Sequence, residues 1–171
     1  MPNASRFNIK IDKGLSHSWI VRCQTDSGVS AIDEGTPIKL QEVDASRTGD
    51  VILMVDGDGT TSQLFAGICK TNSSHTSSVA GLVDAWFPTA GMLYRAGALV
   101  AANADTQAEI EALSYKRVVL DVTADIWTVD SAAADALVNC VVITGGNPLT
   151  SELEFVYSLK GTSWDSSTAV T

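Results

Sequence analysis

The sequence predicts an all-β fold, and three observations lead to it. Short runs rich in Val, Ile, Leu and aromatic residues recur along the 171 residues, each too short for a typical helix and often alternating with polar residues. Clusters of Gly, Asp, Asn, Ser and Thr separate them at intervals that suit antiparallel strands. Only one segment carries a helix start signal.

Taken in order, the predicted strands are SWIVRCQ (18–24), TPIKLQEV (36–43), DVILMVD (50–56), QLFAGIC (63–69) and AGLVDAWF (80–87). MLYRAGALV (92–100), KRVVLDV (116–122), DIWTVD (125–130), ALVNCVVIT (136–144) and ELEFVYSL (152–159) follow. Ten strands exceed what one open sheet usually holds without curling or splitting. The turns between them are DSG (26–28), DEG (33–35), DGDG (56–59) and TGGNP (144–148), where glycine supplies positive φ and Asp or Asn caps its own turn. ANADTQAEIEAL (102–113) reads as the helix, with Asp105 or Thr106 as N-cap and Glu109 completing the cap. One short helix cannot cover both faces of a parallel sheet, which argues against a doubly wound α/β fold.

The two ends differ from the middle. The first 16 residues show little sustained alternation, and GTSWDSSTAVT (161–171) is small and polar apart from Trp164. Both are expected as extended tails that pack against something else or not at all. The chain therefore divides into an N-terminal arm and first strand (1–25), a β-rich body (26–160) and a polar C-terminal tail (161–171). No repeat of solenoid period is visible, and no low-complexity linker divides the body, so one compact unit is expected.

A net charge of −9 and a pI near 4.5 disfavour nucleic acid as a partner, because an acidic surface repels the phosphate backbone. The charge is unevenly placed. Residues 1–25 carry Arg6, Lys10, Lys13 and Arg22 against Asp12 alone, a balance of +3. Such a leader is either a solvated segment or an arm that docks on an acidic neighbour. Cys23, Cys69 and Cys140 are odd in number and lie in or beside apolar runs, which fits buried, reduced thiols. The opening MPNASRFNIKIDKG lacks the apolar core of a secretory signal, and no run reaches the roughly 18 apolar residues of a membrane helix. Synthesis in a reducing cytoplasm, with no membrane partner, is expected.

The stretch VILMVDGDGT (51–60) resembles the strand-then-D-x-D-x-T motif of haloacid-dehalogenase-type phosphotransferases, with Asp56 as nucleophile, Asp58 as acid/base and a magnesium ion on the phosphoryl group. The surroundings do not fit that chemistry, which needs a strand end opening toward a helix. A calcium loop fits less well, since Thr60 and Thr61 occupy the third-ligand and glycine positions. The expected role of DGDG is a hairpin tip joining DVILMVD to TSQLFAGIC. His17 and His75 stand in polar settings without ligand spacing and are expected on the surface, and no nucleophile elbow or phosphate-binding loop is present. Trp86 and Trp127 are expected to fill a core, while Trp19 and Trp164, beside the tails, are better placed to anchor a partner. The sequence thus assigns no catalytic, cofactor or metal residue.

The middle of the chain, AIDEGTPIKL, LFAGICKTNSS and AGLVDAWFPTAGMLYRAGAL, resembles the capsid decoration (cement) proteins of tailed bacteriophages. Ile32, Gly35, Pro37, Phe65, Gly67 and Ile68 stand where that family carries its glycine and apolar pattern. The likeness covers about residues 28–100, with Cys69 in place of a more usual small residue and 102–113 as an insertion. It implies a small β-barrel or β-tulip-like body with extended termini and a non-enzymatic role. It also implies a place on the outer capsid surface of the virion, the major capsid protein as partner, and self-association as trimer or dimer. Arg6, Phe7, Ile9, Lys10, Ile11, Lys13 and Trp19 are then the candidate capsid contacts, through strand addition by the alternating FNIKI segment. Two other readings stand beside it: a head-fibre or tail-associated module whose aromatics contact a host glycan, and a magnesium-dependent phosphatase using Asp56.

Overall fold

The computed structural model describes residues 10–13, 20–25, 31–43, 46–54, 65–87, 92–123, 126–136, 139 and 141–157. It is all-β with a single short α-helix among these residues. The strands are β1 (Lys10–Lys13), β2 (Ile20–Thr25), β3 (Pro37–Val43), β4 (Ser46–Leu53), β5 (Phe65–Cys69) and β6 (Gly81–Trp86). Then come β7 (Leu93–Ala98), helix α1 (Gln107–Leu113), β8 (Arg117–Thr123), β9 (Ile126–Asp130), β10 (Val141–Asn147) and β11 (Glu152–Tyr157). No helix of the described residues is long and apolar enough to cross a membrane.

The strands form two rings. The first is a closed barrel in the order β2-β4-β3-β5-β6. The second sheet runs β1-β7-β11-β10-β8-β9, and β9 also pairs with β7. Its ends therefore meet, so that β7, β11, β10, β8 and β9 complete a circuit with β1 lying outside it. Each ring contains one parallel contact, β2 with β4 and β7 with β9, and is otherwise antiparallel. Closing a sheet on itself pairs strand edges that an open sheet of this many strands would leave bare.

The rings have the same topology and the same register. Thr25 faces Val51 where Ala98 faces Val129. Val51 faces Leu40 as Val129 faces Leu120. Two residues back along those strands, Ile38 faces Gly67 and Val118 faces Val141. One residue further on, Ile68 faces Trp86 and Val142 faces Val156. Val21 opposite Ala85, matched by Tyr94 opposite Phe155, brings both circuits back to their first strand. The body is thus two copies of one barrel, a duplication not visible as a sequence repeat.

What fills the rings differs. Ile32, Ile38, Val51, Ala66, Cys69, Val83 and Ala85 pack the first. Trp127, Tyr94, Phe155, Tyr157 and Leu120 dominate the second. Period-two alternation drives the packing, since Leu153, Phe155 and Tyr157 of β11 all point inward and the residues between them do not. Tyr94 stacks on Phe155 with ring centroids 5.7 Å apart and meets Tyr157 edge-on at 4.9 Å. Met54 and Ile68 of the first half are buried with the second core, and Leu53 and Trp86 pack against it. The two barrels are therefore joined by apolar contact.

Helix α1 lies between β7 and β8. Thr106 is the N-cap: its hydroxyl accepts from the Glu109 N–H, and the Glu109 carboxylate accepts from the Thr106 N–H and hydroxyl. That is the capping box the sequence predicts, with Thr106 rather than Asp105 in the cap position. Ile110 is its buried residue and leans on β10 at Gly146, where a Cβ would sit 3.3 Å from Ile110 Cδ1 and 2.5 Å from Glu152 O.

Two expectations about turns are corrected. TGGNP is not a turn: Gly145, Gly146 and Asn147 continue β10 and pair with Glu154, Leu153 and Glu152. Gly146 is small there because helix and neighbouring strand approach closely, not because φ is positive. The chain turns over 148–151 instead, with Ser151 at φ 50°. DGDG itself lies outside the described residues, but the two strands it was expected to join as a hairpin, β4 and β5, are not paired with each other, since β3 stands between them in the ring. β4 pairs instead with β3, antiparallel, as far as Val43 facing Ser46. DEG does turn as expected, with Gly35 at φ 82° and its N–H donating to Cys69 O at 2.8 Å.

Candidate functional site

Of the predicted contact residues, Arg6, Phe7, Ile9 and Trp19 lie outside the described residues, as do Asp56, Asp58, His17, Cys140 and Trp164. Lys10, Ile11 and Lys13 are in β1, whose backbone runs antiparallel along β7: Lys10 faces Arg95, Ile11 faces Tyr94 and Lys13 faces Leu93. The leader thus adds a strand to a sheet edge of its own chain. Trp127 is buried as predicted. Trp86 is half-buried, with Lys70 Nζ 5.3 Å from its ring centroid. His75 is half-buried rather than fully on the surface, and its backbone runs so close to Gly81 that a Cβ there would lie 2.1 Å from His75 N.

The polar feature that sequence reasoning missed is on the outer face of β2 and β6. The alternation IVRCQT turns Val21, Cys23 and Thr25 inward and Ile20, Arg22 and Gln24 outward, so Arg22 meets Asp84 directly across the pair. Arg22 Nε donates to Asp84 Oδ1 at 2.8 Å and Nη2 to Oδ2 at 3.2 Å, the two-pronged geometry that suits a guanidinium and a carboxylate. That hydrogen bonding holds the Asp84 carboxyl below the usual carboxylate range and raises Arg22. At the matching position of the second barrel, Arg95 donates to Glu154 at 2.9 Å. Beside the first pair a shallow cavity of about 280 Å³ is lined by Thr71, Asn72, Ser74, Leu82 and the ion pair itself. Leu82 in this lining is 47% exposed, as is Ile20 at the start of β2.

The described cysteines are free and turned away from reactivity. Burial pushes the Cys69 thiol up to about 12 and also raises Cys23, whose second influence is Asp84. Between the ordinary thiol value of 9.0 and about 12 the unfolded chain releases a proton that folded Cys69 keeps. Stability is therefore unaffected by this group below that window and declines as pH rises through it. Alkylation of the native protein at neutral pH, mapped by mass spectrometry, is expected to spare Cys69. Fast labelling without unfolding would contradict the burial.

Comparison with protein-family models, with curated proteins and with solved structures finds no match to this chain. The outer face of β2 and β6 thus combines a bidentate ion pair with the exposed aliphatic side chains of Ile20 and Leu82.

Proposed function

We propose that this protein is a non-enzymatic structural protein that binds the outer surface of a tailed-phage capsid shell, contacts the major capsid protein and stabilises the particle. One observation carries the reading: the residues behind the family resemblance, scattered between 32 and 68, fold into one patch of the first barrel. Pro37 faces Ile68 and Ile38 faces Gly67 across the β3–β5 pair, while Gly35 bonds to Cys69 and Ile32 is buried in the same core. Gly35, Pro37, Ile38 and Gly67 are thus neighbours along the β3–β5 pair, with Ile68 turned to the second core. Binding the assembled shell, and not its dissociated subunits, stabilises the shell by mass action.

Undecorated expanded capsids, mixed with the purified protein and pelleted, are expected to carry it down. Removing residues 1–16 is expected to leave a folded body, since the second ring closes without β1, and to weaken pelleting. Charge reversal at Arg6, Lys10 and Lys13 is expected to make binding less salt-sensitive, because exposed charges steer encounter through screened forces. If the full chain stays in the supernatant, the decoration role is wrong. If the shortened chain pellets as tightly as the full one, the role stands and the arm is not the contact.

A further inference from the structure

We infer that the open edge of β2 is where two copies of this protein pair, β2 against β2 across a twofold axis. The inference stands on ring geometry alone and does not depend on shell binding. In the second barrel the outer edge of β7 is fully used: β9 takes Gly97 and Ala98, and β1 takes Leu93, Tyr94 and Arg95. In the first barrel β4 meets β2 at Thr25, the match of Ala98. Ile20, Val21 and Arg22, the matches of Leu93, Tyr94 and Arg95, have no strand on that side among the described residues.

The backbone of this edge is aimed outward. On β6 the carbonyls of Leu82 and Asp84 accept from Ser74 N and Lys70 N, and their N–H groups donate to Ser74 Oγ and Thr71 Oγ1. Those two residues therefore bond away from β2. Because the direction alternates along a strand, Gly81, Val83 and Ala85 bond to β2, and Thr25, Cys23 and Val21 answer them. Ile20 and Arg22 are left with their N–H and C=O groups facing the open side. The second barrel obeys the same rule, since Ala98 N donates to Ser151 O, immediately before β11, and Leu93 and Arg95 turn toward β1.

An antiparallel pair centred on Val21 sets Ile20 of one copy opposite Arg22 of the other, twice, so the outward groups meet in register. Such an interface is self-complementary, as a twofold contact must be. No guanidinium faces its own copy, and each stays bonded to Asp84. The sequence of β2, IVRCQT, contains neither the proline nor the lysine that commonly guards an edge. Covering shows in the side chains too: Arg22 is 67% exposed, whereas Arg95, beside β1, is 29% exposed. A second copy fits better than a loan of β1, which would leave the edge of β7 bare.

Sedimentation equilibrium of the full chain is expected to show a monomer–dimer equilibrium with a dissociation constant on the order of micromolar or weaker, given the small contact. Ile20→Pro removes an outward N–H at the first residue of a strand, where proline is tolerated. It is expected to weaken the dimer by roughly tenfold or more while the circular dichroism stays unchanged. If that variant does not fold, Val21→Cys in a Cys23→Ser background decides the matter. Facing residues at the axis lie within disulfide reach, so mild oxidation is expected to link two chains through position 21, as peptide mapping would show. A monomer at every concentration overturns the inference. So does a dimer that ignores Ile20→Pro in the folded variant, or one that yields no link through position 21.

Discussion

Replacing Phe155 by alanine is expected to destabilise the protein by about 3–5 kcal/mol, the range for removing a large aromatic from a packed core. Phe155 is fully buried, stacked on Tyr94 and edge-on to Tyr157 at 5.7 Å each. Tyr94 and Tyr157 cannot simply close the gap, because their own ring contact is already made at 4.9 Å. The first barrel has Ala85 at the matching position, opposite Val21 rather than a tyrosine. An alanine there is therefore compatible with the ring but not with this set of neighbours. The measurement is a denaturant midpoint shift at constant slope. A loss below about 1 kcal/mol would mean that the second core repacks freely, contrary to the dense interior described above.

Gly67→Ala is expected to cost about 3 kcal/mol or more, through backbone strain and overpacking acting together. Gly67 sits at φ +152°, and a Cβ there would lie 2.4 Å from Trp86 O. The obstacle is main chain, so β5 would have to pull away from β6. Val141 occupies the matching position in the second barrel, where no positive φ occurs. In the first, the register shifts next to Gly67, between Ile38 and Lys39. Gly97→Ala provides the contrast, because a Cβ there meets nothing within 4 Å and a change within about 0.5 kcal/mol is expected. Equal effects at the two glycines would show that backbone crowding at Gly67 is not what the position demands.

The candidate surface was only partly legible in the sequence. FNIKI announced a strand-adding arm, and β1 is such a strand over 10–13, but its acceptor is β7 of the same chain. Which edge receives a strand depends on which edges the fold leaves open, and no local pattern reports that. Arg22 figured in the sequence only as one positive charge of the leader. Its pairing with Asp84 joins residues 62 apart, and a charge that finds a distant partner carries no nearby signal. A sharper reading of IVRCQT, placing Ile20, Arg22 and Gln24 on one face, was the available clue.

By itself the sequence determined the all-β class, the approximate positions of the strands and one capped helix, because these rest on alternation and capping within a few residues of each other. It misread TGGNP because a glycine serves a turn or a close approach equally well, and it misread β4 and β5 as a paired hairpin because neither strand's own pattern reports which strand lies beside it. Ring order, closure and the duplication of the barrel were decided by tertiary structure alone. A strand's alternation dictates which face is buried but not which strand lies beside it. A closed ring requires an apolar residue at each inward position without specifying its identity. Val21 and Tyr94, or Ala85 and Phe155, can hold matching positions for that reason, and two copies of one barrel share too few identical residues to be read as a repeat.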